Sequence, residues 1–545
     1  MWGDDMFLDP NQKMIFGLDK ILEDIKASGK LGENYKRNIG FFAPFEKQEL
    51  EEEWDRTESF VRLIIDNPRE LRELFLLLSD AVSVKSIVYK ALSGDILDIV
   101  DVFNIKKFIA ICHSVSELIE KLGIRTKGKL REFPKLKAFL EIGGKENSFY
   151  VSDDYSEVLK KVRTEIKNIQ EELSSLRRER YAYLENLYGV KVKRDGEIIV
   201  EFHDREKIKA LYLEDGVYVR EEGISYIIFK VKKDSLEEEL EAKLELLRKK
   251  EQEEETEVLK KITEYVSFYA EELLKNENIL SYLDWLQAKS QYLLRKKCVR
   301  PNIGEGKITI KGGRHPLLED VLEGMGLSFQ PQSIDINKRM VVITGANMGG
   351  KTVTLKLIGL FIAMAQAGLF VPAESFSFPM MEFVHYIGDI HGDMKEGLST
   401  FGKEVTEINH VLAHRERKGL LLLDETAKGT NPEEAKVLVE ALLNYLYNRS
   451  NFTVIIATHL DGIGKNAEHW RVKGLKEEVK EEIIKKLKEE KEGLDLLPRF
   501  MDYTLERVEH NEKPPRNALM IAAILGLPEE LMDKAYELME GGNKR

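Results

Sequence analysis

The sequence predicts a multidomain chain: an all-α first part, two long helices carrying a small β module, and an α/β domain with a glycine-rich strand–loop–helix unit. Three observations predict it. Leu159, Val162, Ile166, Ile169, Leu173 and Leu176 alternate three- and four-residue steps, the seam of a long helix lying against a partner. Residues 190–232 change to a β-like period with turn signals. After Ile308, short apolar runs alternate with helical patterns, as in "MVVITG", "GLLLLDE" and "FTVIIATH".

The first part, 1–155, reads as helices. In "PRELRELFLLLSDAVSVKSIVYKALSGD", Asn67-Pro68 is a start signal and Ser93-Gly94 a stop. The second part, 156–300, holds the heptad seam, which resumes at Tyr183 and Leu187 after Arg180 and ends at Gly189. Two hairpins follow, one turning at Asp195-Gly196 and one in "GVYVREEGISYIIFKV". Ser235 to Glu238 forms a capping box, and helix resumes from Leu236 to Leu294. The α/β part spans 301–509, with a Lys/Glu-rich insertion between Leu475 and Gly493. The tail, 510–545, reads as two helices hinged at "GLPEE".

Composition narrows the function. The chain has 545 residues, enough for several cores, and a formal net charge of −13, which argues against indiscriminate nucleic-acid binding. Its two cysteines, Cys112 and Cys298, make no disulfide framework and no zinc ribbon. The apolar window Leu355 to Val371 is broken by Lys356, Gln366 and two glycines, so it reads as a buried helix. The acidic start lacks the layout of a secretory signal. A cytoplasmic protein is expected, and the Lys/Glu-rich composition is one found in thermophiles.

The chemistry lies in the α/β part. Gly345, Ala346, Asn347, Met348, Gly349, Gly350, Lys351 and Thr352 fit G-x-x-x-x-G-K-[ST] between a strand and a helix. In this P-loop the glycines let backbone N–H groups curl around phosphates, Lys351 reaches the β- and γ-phosphates of ATP, and the Thr352 hydroxyl is a Mg2+ ligand. "GLLLLDET" supplies a doubly buried strand ending in Asp424, a carboxylate suited to hold Mg2+ directly or through its bound water, and Glu425, a general base for the attacking water. "VIIATH" ends a third strand at His459, placed to sense the γ-phosphate. Glu407, His410 and His414 share helical spacing but lack a third metal ligand and the H-E-x-x-H pattern, so they are read as structural.

Together these motifs resemble the MutS-type ATPases, relatives of the ABC ATPases. "GGRHPLLE", "TGANMGGKT", "EGLSTFGKEV", "LLLLDETAKGTNPEEA", "ATH" and "ILGLPEELMDKA" carry the resemblance over most of 308–540. It implies an all-α core, lever helices with a β clamp at 190–232, an ABC-like P-loop ATPase domain and a C-terminal helix-turn-helix. It also implies a homodimer in which Ser399 of one subunit approaches the nucleotide of the other in trans, and a clamp that encloses duplex or branched DNA. Lys191, Lys193 and Arg194 are candidate phosphate contacts.

The sequence departs from full mismatch-repair proteins. The helical core starts almost at once, and "IGFFAPFEK" lacks the Phe-x-Glu wedge, so mismatch specificity is not expected. The helix after the P-loop is more similar to the second MutS subfamily, but that subfamily's C-terminal Smr nuclease domain is not expected here. The alternative is a MutS-type ATPase acting on a protein client, similar to reactivating factors for cobalamin-dependent aminomutases. A chromosome-organising coiled-coil ATPase fits less well, because the seam is too short.

Overall fold

The computed structural model describes residues 7–142, 149–345, 350–388, 400–475, 501–510 and 527–541, together with residues 519 and 522. The chain divides into two compact units. One comprises Met1–Asp80, Glu117–Gly128 and Ile279–Arg545; the other comprises Ala81–Ser116 and Lys129–Asn278.

In the second unit, the helix Glu157–Tyr188 starts at Ser156, whose hydroxyl caps Leu159 N–H, and ends at Gly189 in the left-handed conformation, φ 58°. It packs antiparallel on the helix Ser235–Phe268 through Ile169, Leu173 and Leu240, flanked by Leu176, Leu244 and Leu247. Ion pairs fix the register. Arg163 contacts Asp153, Glu251 and Glu255 at 2.6, 2.7 and 2.5 Å, and Arg177 contacts Glu237 and Glu241 at 2.6 and 2.5 Å. The predicted seam holds from Leu159 to Leu176, then turns. Tyr183 and Leu187 are exposed, while Leu184 is buried with Tyr181 and Tyr188 against the β module. A 3.6-residue helix drifts off a strict heptad, and here the β module, not the partner helix, supplies the apolar surface beyond Leu176.

That module is a three-stranded antiparallel sheet of β1 (Glu197–Glu201), β2 (Val217–Glu222) and β3 (Tyr226–Val231), in the order β1-β3-β2. The second hairpin forms as expected. The first is reduced to a single bridge, Val192 to Ile198, because β1 pairs instead with β3. An unforeseen helix, Arg205–Tyr212, packs Leu211 onto the sheet. The next long helix is capped by Asp234, whose carboxylate accepts from Glu237 N–H at 2.7 Å, one residue before the expected Ser235. It ends at Phe268, and a separate helix, Ala270–Arg295, follows. The single helix expected from Pro68 to Leu92 is likewise two, Pro68–Asp80 and Lys85–Leu92.

The first unit contains two sheets. One joins β4 (Asn302–Ile303), β5 (Ile308–Gly313), β6 (Gln332–Ile336) and β8 (Ser375–Phe378), in the order β4-β8-β5-β6. The other joins β7 (Met340–Thr344), β9 (Phe383–Ile387), β10 (Gly419–Asp424), β11 (Thr453–Ala457), β12 (Glu468–Leu475) and β13 (Met501–Val508), in the order β13-β12-β7-β11-β10-β9. All its pairings are parallel except β12 with β13. β10 is buried along its whole length, as its four leucines predict, and the helix Lys351–Gln366 is buried almost all round. The expected insertion at 475–493 and the first tail helix lie almost wholly outside the described residues; the second tail helix is Glu529–Gly541.

The same unit buries a charged cluster. Lys289 Nζ donates to Glu53 Oε1 at 2.5 Å and to Gly368 O at 3.3 Å, and Tyr282 Oη donates to Glu53 Oε2 at 3.0 Å. Burial opposes the Glu53 charge, but Lys289 and Lys127 overcome it and hold the carboxyl at about 2, below its ordinary 4.5. Its stabilising contribution is therefore complete above pH 4.5 and is lost as pH falls through about 2. Glu53→Ala strands Lys289 and should cost about 3–5 kcal/mol in urea unfolding, whereas the exposed neighbour Glu52→Ala should cost under about 1 kcal/mol.

Candidate nucleotide site

The site forms where the parallel strands end together. Asp424 lies opposite Ala457, and Ala457 opposite Ile343, so three strand ends share one row. Glu425 N–H donates to Ala457 O at 2.8 Å and Thr458 N–H to Ile343 O at 3.0 Å, which carries the alignment one step past the strands.

β7 leads into the glycine-rich loop. Gly345 has φ 139° and Gly350 φ 94°, conformations that L side chains rarely adopt. A Cβ on Gly350 would stand 3.1 Å from Tyr503 Cδ1. Ala346, Asn347, Met348 and Gly349 lie outside the described residues, as does Ser399. Lys351 opens the helix. It is 5 % exposed, and its Nζ donates to Gly345 O at 2.9 Å and lies 3.8 Å from Glu425 Oε1. Burial pushes its ammonium below the usual lysine range, against the pull of Glu425 and Asp424. Thr352, in the first turn, is exposed.

Asp424 is buried, and its Oδ2 accepts from Tyr386 Oη at 2.8 Å. Its Oδ1 is buried without a hydrogen-bond partner among the described residues. Glu425 follows at φ 50° and Ala427 at φ 67°, non-glycine residues held left-handed. Two contacts secure this turn: Ala427 N–H donates to Glu404 Oε2 at 2.8 Å, and Lys428 Nζ to Glu425 Oε2 at 2.6 Å. Burial works against the Glu425 charge, but Lys428 and Lys351 hold its carboxyl below the usual range. His459 follows β11 on the surface.

The structure thus gathers Gly345, Gly350, Lys351, Asp424 and Glu425. An unpartnered carboxylate oxygen and an exposed hydroxyl are hard oxygen donors that fit Mg2+, which binds through few protein ligands. No cluster of three or more His, Cys, Asp or Glu suited to a metal occurs among the described residues. His410 and His414, with ring centroids 6.1 Å apart, form none. The sequence did not single out Tyr386, Glu404 or Lys428. Tyr386 and Glu404 reach the site only through the strand order and the helix beside it; the spacing of Glu425 and Lys428 was readable, but the turn that joins them was not.

A mostly parallel sheet brings a buried lysine at the start of a helix and an Asp-Glu pair at a strand end to one edge. Residues 341–541 match MutS domain V. An Endonuclease MutS2 of Geobacillus sp. is 31% identical over 377 residues, 66% of this chain and 46% of that protein. An Endonuclease MutS2 of Caldanaerobacter subterraneus is 30% identical over 462 residues, 81% of this chain and 54% of that protein. A DNA mismatch repair protein MutS of Thermotoga petrophila is 30% identical over 304 residues, 55% of this chain and 36% of that protein. The chain spans about half the length, or less, of these curated relatives. The ATPase domain is of the MutS family, and the similarity of the chain is MutS2-like. No helix among the described residues is long and apolar enough to cross a membrane.

Gly350→Ala should lower affinity for a fluorescent ATP analogue at least about tenfold while leaving the circular dichroism spectrum unchanged, because a side chain is strained at φ 94° and presses on Tyr503.

Proposed function

We propose that the chain is an ATP-hydrolysing, DNA-associated MutS-like protein. The observation that carries this reading is the convergence of Lys351, at the start of the helix that follows β7, with Asp424 and Glu425 at the end of β10, within a MutS domain V. Lys351 and the loop from Gly345 to Gly350 hold the phosphates of ATP. Thr352 and Asp424 hold Mg2+, which neutralises phosphate charge when bound. Glu425, kept ionised by Lys428 and Lys351, orients and deprotonates the attacking water. His459 faces the γ-phosphate.

In this reading two copies pair through the ATPase domain and the tail at 510–545, and Ser399 acts in trans. ATP binds the closed dimer better than the open one, and that difference drives the change. The helical core at 1–155 and the long helices at 156–300 carry it to the module at 190–232, which embraces duplex or branched DNA without mismatch specificity.

One observation favours a protein client instead. Basic side chains of the module and long helix are already engaged: Lys193 and Arg220 with Glu197, and Arg163, Arg177 and Arg180 with acidic neighbours. Engaged cations contribute less to phosphate binding.

Glu425→Gln should keep ATP affinity and lower phosphate release about 100-fold or more, whereas Lys351→Ala should weaken ATP binding about 10- to 100-fold. Turnover at the wild-type rate in both would refute the assignment. Fluorescence anisotropy with matched, mismatched and branched duplexes across a salt series tests the DNA part. A steep salt slope supports DNA, and no binding at low salt moves the reading to a protein client.

A further inference from the structure

We propose that Tyr386 is a positioning residue that fixes the orientation of the Asp424 carboxylate so that its unbonded oxygen faces the metal; the inference rests on the Mg2+·ATP reading of the site. The geometry is asymmetric. Tyr386 Oη donates to Asp424 Oδ2 at 2.8 Å, while Oδ1 is buried without a hydrogen-bond partner among the described residues. The terminal torsion of an aspartate is broad, so a free carboxylate would sample a wide range of orientations. A phenol bonded to one oxygen removes that freedom and leaves the other for a cation. The bond is charge-assisted and lies out of water, which strengthens it.

Tyr386 is itself held from several sides. The Gln12 side-chain amide clamps its backbone, donating to Tyr386 O at 3.0 Å and accepting from Tyr386 N–H at 2.9 Å. Phe16 meets the ring edge-on with centroids 6.3 Å apart, and Lys356 Nζ lies 5.6 Å from the ring centroid. Gly388 leaves the space the hydroxyl needs: a Cβ there would stand 2.6 Å from Tyr386 Oη and 2.9 Å from Asp424 Cβ.

The test is a Mn2+ titration by electron paramagnetic resonance, with a non-hydrolysable ATP analogue present, on the full chain. A fluorescent ATP analogue in EDTA reports metal-free nucleotide affinity. Tyr386→Phe keeps the ring and removes the hydroxyl. It should weaken Mn2+ binding about tenfold or more while leaving metal-free nucleotide affinity unchanged. Gly388→Ala, which displaces the hydroxyl without removing it, should act in the same direction. Asp424→Asn marks full loss of the carboxylate. If Tyr386→Phe binds Mn2+ as the wild type does while Asp424→Asn does not, the inference is overturned and the Mg2+·ATP reading stands. If the wild type shows no nucleotide-dependent Mn2+ binding, that reading falls and the inference with it.

Discussion

Everything at the nucleotide site depends on the register of the central parallel strands. With Ile343, Asp424 and Ala457 in one row, strands from distant parts of the chain end at the same height. A one-residue slip of β10 would turn Asp424 to the opposite face, because side chains alternate along a strand. Packing opposes such a slip: β7, β10 and β11 are enclosed on both faces, and a shifted register would misfit side chains that are close-packed on either side. The backbone bonds of Glu425 to Ala457 and of Thr458 to Ile343 extend the alignment into the reactive turn.

Around that row the protein stores conformations that only surrounding contacts can sustain. Glu425 and Ala427 are left-handed without being glycine, and the turn is secured by Glu404 and Lys428. Lys351 is buried beside the Glu425 carboxylate, and its Nζ donates to Gly345 O on the loop backbone. Such a site is pre-organised for a polyanion, because phosphate oxygens can take over ammonium contacts that now go to Gly345 O and Glu425. A second buried charge cluster, Glu53 with Lys289 and Tyr282, ties the helix Lys47–Asp66 to the later part of the helix Ala270–Arg295 and to Gly368, just past the helix that begins at Lys351.

Much of this was readable in the residues, and the limits have physical causes. The glycine spacing before Lys351 and the four leucines before Asp424 are local signals, and they placed the strands and the helix. The Tyr386 bond to Asp424 was not readable, since it depends on β9 lying beside β10, and strand order is not written locally. Nor was the clamp from Gln12, 374 residues from Tyr386. In the long helix the heptad spacing was sound up to Leu176. Beyond it, Tyr183 and Leu187 continued the pattern in sequence while the structure buried Leu184, because the neighbouring surface had changed from a helix to a sheet. Asp234 displaced Ser235 as the cap because both residue types can fill that role and sequence alone does not choose between neighbours.

The most direct measurement is a crystal structure of the chain with Mg2+ and a non-hydrolysable ATP analogue. The account predicts that the triphosphate lies along the loop from Gly345 to Lys351, that Lys351 Nζ contacts phosphate oxygens, and that the metal faces Asp424 Oδ1 and the Thr352 hydroxyl. A nucleotide bound elsewhere, or a metal held without Asp424, would contradict it.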